Sequence, residues 1–154
     1  MKIKLNLNGG EIEVDLTPEQ INKIKAMPGS IEDRIDGWES VAAIMGFHPV
    51  DDLPYPNPKT ERQEAVNAFF VMDVAADAYN EGKIPDFQDA KQEKWFDYFK
   101  RNPSGFGFLY SLTFYAHTHS YVGARLSLLK REHVADRAKK FDTWIQKLLT
   151  KTKQ

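Results

Sequence analysis

The chain has 154 residues with a 42% hydrophobic and 28% charged share and no cysteine. That is enough to bury one core, and it excludes a disulfide scaffold, thiolate metal sites and a cysteine nucleophile. The formal net charge of −1 is unevenly spread: residues 1–90 hold 8 Lys/Arg against 17 Asp/Glu, and residues 91–154 hold 13 against 5. The plainer reading is that an acidic and a basic part complement each other within one fold. The other is a basic surface for a polyanion.

In chain order, Lys2–Leu7 and Glu11–Leu16 alternate with period two around Asn8-Gly9-Gly10 and predict a β-hairpin. The same alternation at Met1–Asn6 lacks the apolar core of a signal peptide, so a cytoplasmic protein is expected, in the host cytoplasm if it is phage-encoded. Thr17-Pro18-Glu19-Gln20 carries a capping hydroxyl, a proline at the first helical position and Gln at the capping-box position, predicting a short helix to Met27. A second helix is expected over Trp38–Met45, with Val41, Ile44 and Met45 inward and Gly46 as its left-handed stop.

His48 to Pro58 carries four prolines and predicts a stiff connector between helices, setting off residues 1–58 as a subregion of a single domain spanning 1–154. From Thr60 to Tyr79 the apolar residues predict the longest helix, central to the fold, ended by Asn80-Glu81-Gly82. Its apolar run, Ala65 to Tyr79, is interrupted by Asn67, Asp73 and Asp77 and is too short to span a bilayer, so no membrane is expected.

Phe106–Tyr115 and Tyr121–Leu129 are rich in aromatic and β-favouring residues and are joined by Ala116 to Ser120, predicting a second hairpin. An amphipathic helix is expected from Arg131 to Leu149, with Val134, Ala138, Phe141, Ile145 and Leu148 at helical spacing. The predicted class is α+β, two β-hairpins packed against a long central helix and a C-terminal amphipathic helix.

Three groups of residues carry chemistry. On the last helix Arg137, Lys140, Trp144, Lys147 and Lys151 fall in one stripe at 100° per residue, a pattern of cations flanking an indole that would hold a nucleic acid or a protein partner. The competing reading is a solvated face whose lysines favour the helix C-terminus. His117 and His119 alternate at a strand end and could share a metal, with His48, His133 or a carboxylate as third ligand. That is the alternative reading, a metal-dependent hydrolase, and nothing in the spacing brings a third ligand to the pair. Asp73 and Asp77 stand one turn apart and could form an acid pair or a divalent-ion site, the plainer reading being structural pairing with Arg62 and Arg125. No phosphate loop, nucleophile elbow or dinucleotide fingerprint occurs, and no cofactor is expected.

Two resemblances follow from these segments. Gly105-Phe106-Gly107-Phe108-Leu109 looks like the aromatic octapeptide of RNA-recognition-motif domains, but Ser104 and Ser111 replace its end residues and a long helix stands where a strand is required. From Glu61 with Ala65-Val66-Asn67-Ala68, through Asn80 to Asp86, Lys94-Trp95-Phe96, Gly105 to Phe108 and Val122 to Leu126, the chain resembles small uncharacterised proteins of tailed phages of gut Bacteroidales and related mobile elements. Gly46 to Val50 and Leu53 to Pro58 extend that likeness upstream. The resemblance implies a setting, a phage or mobile-element product inside a bacterium, and carries no catalytic residue. The function expected is that of a non-enzymatic binding protein.

Overall fold

The computed structural model describes residues 2–7, 10–15, 17, 29–101, 108–116 and 124–149. The helix expected from Thr17 to Met27 falls almost wholly outside them. β1 (Lys2–Leu7) and β2 (Gly10–Asp15) pair antiparallel in the register Lys2 to Asp15 and Leu7 to Gly10. The period-two alternation of the two segments suits that register.

Ser30 caps α1 (Ile31–Arg34), a single turn, through a capping box with Asp33. α2 (Trp38–Met45) ends at Gly46, whose φ of 81° is the left-handed conformation expected of it. The start of α2 is tied by the Ser40 hydroxyl, which accepts from Asp36 N and donates to Gly37 O. The proline-rich run that follows is clamped at two points. Trp38 Nε1 donates to Pro49 O at 2.6 Å, and the Asn67 amide exchanges hydrogen bonds with the backbone of Tyr55 at 2.9 and 2.7 Å.

α3 (Glu61–Tyr79) is the 19-residue helix, capped by Thr60, whose hydroxyl accepts from Gln63 N. Past its end Glu81 and Gly82 both take positive φ, 53° and 75°, so the turn that the Asn-Glu-Gly run predicts is left-handed at two successive residues. The buried residues of α3, Val71, Met72, Ala75, Ala76 and Tyr79, share one core with Ile31, Ile35, Trp38 and Val41 and with Leu128, Val134, Phe141 and Ile145. Each large apolar side chain taken fully from water there contributes about 1.5–3 kcal/mol.

The second antiparallel pair corrects the sequence expectation. β3 (Lys94–Arg101) pairs with β4 (Phe108–Ala116), with a bulge at Tyr98/Phe99, whereas Leu128 bridges to Trp95 rather than to β4. Trp95 N donates to Leu128 O at 2.8 Å and Leu128 N to Trp95 O at 2.9 Å. Ala124–Leu126, expected as strand, is a 3-10 turn. The segment Trp95–Phe99 escapes a sequence reading because its inward alternation is Trp95, Asp97, Phe99, and the carboxylate breaks the apolar pattern.

The last helix is also corrected: it is two helices, α4 (Arg131–Lys140) and α5 (Asp142–Leu149). Phe141 (φ −112°, ψ 16°) is fully buried at the break, and its carbonyl accepts from both Trp144 N and Ile145 N to start α5. Asp142 and Thr143 are poor helix-interior residues and favour a new start there. The architecture is a mixture of helices and antiparallel strand pairs. Among the described residues no helix is long and apolar enough to cross a membrane.

Candidate functional site

The break at Phe141 dismantles the basic stripe, because a 100° rotation per residue cannot be carried across it. Arg137 is 1% exposed. Its Nη2 and Nε donate to Asp97 Oδ2 at 2.8 and 3.2 Å, and its Nη1 donates to Leu126 O at 2.7 Å. A guanidinium locked to a carboxylate on β3 and a carbonyl of the 3-10 turn is a structural cross-link, not a phosphate contact. Burial pushes the Asp97 carboxyl up from its usual range, and the guanidinium pulls against it.

Lys140 is committed as well. Its ammonium donates to Asp136 Oδ2 at 2.8 Å and to the backbone oxygen of Glu32 at 2.6 Å, drawing α1 onto α4. Trp144 borders the core, and Lys147 lies 5.1 Å above its ring and 3.8 Å from Glu64. Of the stripe, then, Lys147 alone among the described residues keeps a cation half open to solvent beside an aromatic face. Lys151, His117 and His119 lie outside the described residues, as does the glycine-aromatic segment before Phe108.

Electrostatically, the acidic and basic parts answer each other. Glu64 and Asp73 from the first part meet Lys147 and Arg125 from the second at 3.8 and 3.3 Å. Asp73 therefore has the Arg125 partner that its place on an apolar helix calls for, and Asp77 is exposed. Partial desolvation against the helix surface, and then the neighbouring Asp73, raise the Asp77 carboxyl, with Arg125 opposing.

No family model, curated protein or solved structure matches this chain. The site must therefore be read from its geometry alone. Two features stand out that sequence reasoning missed. One is a polar seam where α1, the end of α3 and α4 meet. There the Tyr79 hydroxyl donates to Asp136 Oδ2 at 2.6 Å, its ring lies 5.4 Å from that of His133, and His133 Nε2 is 2.9 Å from Glu32 Oε1. Burial holds the His133 imidazole below its usual pKa, against the upward pull of Glu32, so the ring is predominantly neutral at neutral pH.

The other feature is apolar and outward. On α3 the neighbouring positions Val66 and Phe69, three residues apart, are 42% and 41% exposed. Arg62 and Asp77 are exposed on the same stripe. Tyr98 on β3 is 50% exposed, on the strand face opposite Asp97. The helical pattern of α3 is apolar almost all round, so the sequence marks the helix as buried without saying which apolar residues are left outside.

Proposed function

We propose that this protein is a non-enzymatic binding protein whose partner is a protein, in keeping with the phage or mobile-element setting in a host cytoplasm that the sequence resemblance implies. The two antiparallel pairs serve as hairpins against a scaffold led by α3. The observation that carries the reading is the exposed Val66–Phe69 pair on α3, flanked by charges of both signs. Apolar side chains ringed by polar ones are what a protein interface offers, and a phenylalanine at its centre is a suitable anchor. The internal commitment of Arg137 and Lys140 tells against nucleic acid, which needs several cations free to neutralise phosphates.

The test pairs two assays. Immobilised wild-type protein retains a bacterial protein from lysate, and Phe69→Ser together with Val66→Ser abolishes that retention while leaving the thermal midpoint within a few degrees. Gel shifts with DNA and RNA at low salt are run in parallel on Lys139→Glu with Lys147→Glu. Salt-sensitive nucleic-acid binding lost in the charge reversal and kept in the apolar variant would transfer the function to the nucleic-acid reading.

A further inference from the structure

At the junction of α1 and α4, a ring nitrogen of His133 and carboxylate oxygens of Glu32 and Glu132 all lie within 4.8 Å of one another. Glu32 comes from α1, and Glu132 and His133 from the first turn of α4, so residues a hundred positions apart in the chain converge. His133 is 1% exposed, and neither of its ring nitrogens makes a hydrogen bond. Leaving a buried imidazole without a partner costs about 1–3 kcal/mol, and it is uncommon.

The contact of His133 Nε2 with Glu32 Oε1 shows what the ring lacks. The two atoms are 2.9 Å apart, yet the pair fails as a hydrogen bond, so the oxygen lies off the line along which Nε2 would direct a proton. That offset suits two ligands of one cation. In a tetrahedral zinc site with bonds of about 2.0–2.2 Å, donor atoms sit about 3.3–3.6 Å apart, each aimed at the ion and not at its neighbour, so the 2.9 Å pair would open by about half an ångström on taking up the ion.

We propose that Glu32, Glu132 and His133 form a binding site for a divalent first-row cation, zinc by its donor set, that staples α1 to α4. One imidazole and two carboxylates, with no thiolate, suit zinc among the abundant ions. Two ligand carboxylates face Lys130 as the opposing charge, and Glu81 close by is paired with Arg34 at 3.6 Å, so the local balance is still negative and suits a cation. Glu132 is exposed, so its side chain has room to close on an ion. The site is separate from the Val66–Phe69 surface and does not depend on the function proposed for it.

The experiment uses tag-free protein stripped with a chelator and titrated with Zn²⁺ by calorimetry, with the thermal midpoint recorded at each step. One zinc per chain, a midpoint raised by several degrees in proportion to occupancy, and reversal by chelator are expected. Glu132→Gln should leave the metal-free midpoint unchanged, since the residue is exposed, while weakening zinc affinity by at least about tenfold, the lower end of what even indirect ligand changes cost. His117→Ala with His119→Ala should bind as wild type does. No bound zinc, zinc binding that survives both Glu132→Gln and Glu32→Gln, or binding lost in the His117/His119 variant would each overturn the assignment.

Discussion

Replacing Arg137 by alanine tests whether its cation belongs to the fold or to a ligand. The substitution leaves Asp97, whose side chain is 6% exposed, as an uncompensated buried carboxylate, and it strips Leu126 O of its 2.7 Å donor. Breaking a buried pair by removing one partner costs about 3–5 kcal/mol. Against a total stability of about 5–15 kcal/mol that is a large fraction, equivalent to roughly 10 °C in midpoint for a chain of this size. Chemical denaturation of wild type, Arg137→Met, Asp97→Leu and Arg137→Met/Asp97→Leu supplies the cycle, with Arg137→Ala measured alongside. The double apolar variant should recover most of the loss, because an apolar pair of similar volume carries no desolvation penalty. A loss below about 1 kcal/mol for Arg137→Ala would refute the reasoning, as would additive single losses in the double variant.

Further outcomes follow from the same seam and from the end of α3. Tyr79→Phe removes a hydroxyl donated to a carboxylate and should cost about 1.5–3 kcal/mol by denaturant melts. Burial first, and then the Asp136 carboxylate, raise the Tyr79 phenol well above its ordinary value of 10.0. Because the folded pKa is the higher one, the hydroxyl's contribution is complete below pH 10 and is lost as pH rises above it. Wild-type stability should therefore fall above pH 10 by up to about 1.4 kcal/mol per pH unit more than that of Tyr79→Phe, and parallel pH profiles would contradict the assignment. Asn80 donates to Ser127 O and accepts from Leu129 N, so Asn80→Ala should cost about 1–3 kcal/mol for each group stranded. Asn80→Asp keeps the acceptor for Leu129 N but turns a second oxygen on Ser127 O and buries a charge, so it should lose at least as much, which equilibrium unfolding of the two variants would show.

Helix ends and turns were legible in the sequence because their causes are local. Thr60 with Gln63, Gly46 after Met45 and the Asn80-Glu81-Gly82 stop each act within one turn of chain, and the structure places all three as the residues require. The second strand pair was not legible, because its deciding contact is remote. Asp97 reads as a break in the pattern of an inward-facing strand until Arg137, forty positions later, is seen to meet it. Phe141 misled in the opposite direction: its spacing fits one continuous amphipathic helix, and burying its ring at a kink satisfies that spacing equally well. Hydrophobic periodicity reports which residues face inward and does not report whether the backbone between them stays helical.

The same locality explains what was lost at the candidate site. A stripe of cations on a helical wheel is a statement about direction, whereas availability depends on what the neighbouring elements present to each cation. Arg137 and Lys140 face β3 and α1, and each finds an acceptor there. His133 was weighed as a partner for His117 and His119, yet its place in the first turn of α4 brings it to Glu32, on a helix that the sequence reading did not contain. α1 is a single turn, too short for periodicity to register, and only Ser30 with Asp33 marks it. A four-residue helix thus supplies the carboxylate that meets a buried histidine from a distant part of the chain. If zinc bridges the two, the short capping box at Ser30 serves chiefly to aim Glu32, and Ser30→Ala should weaken zinc binding without touching a ligand.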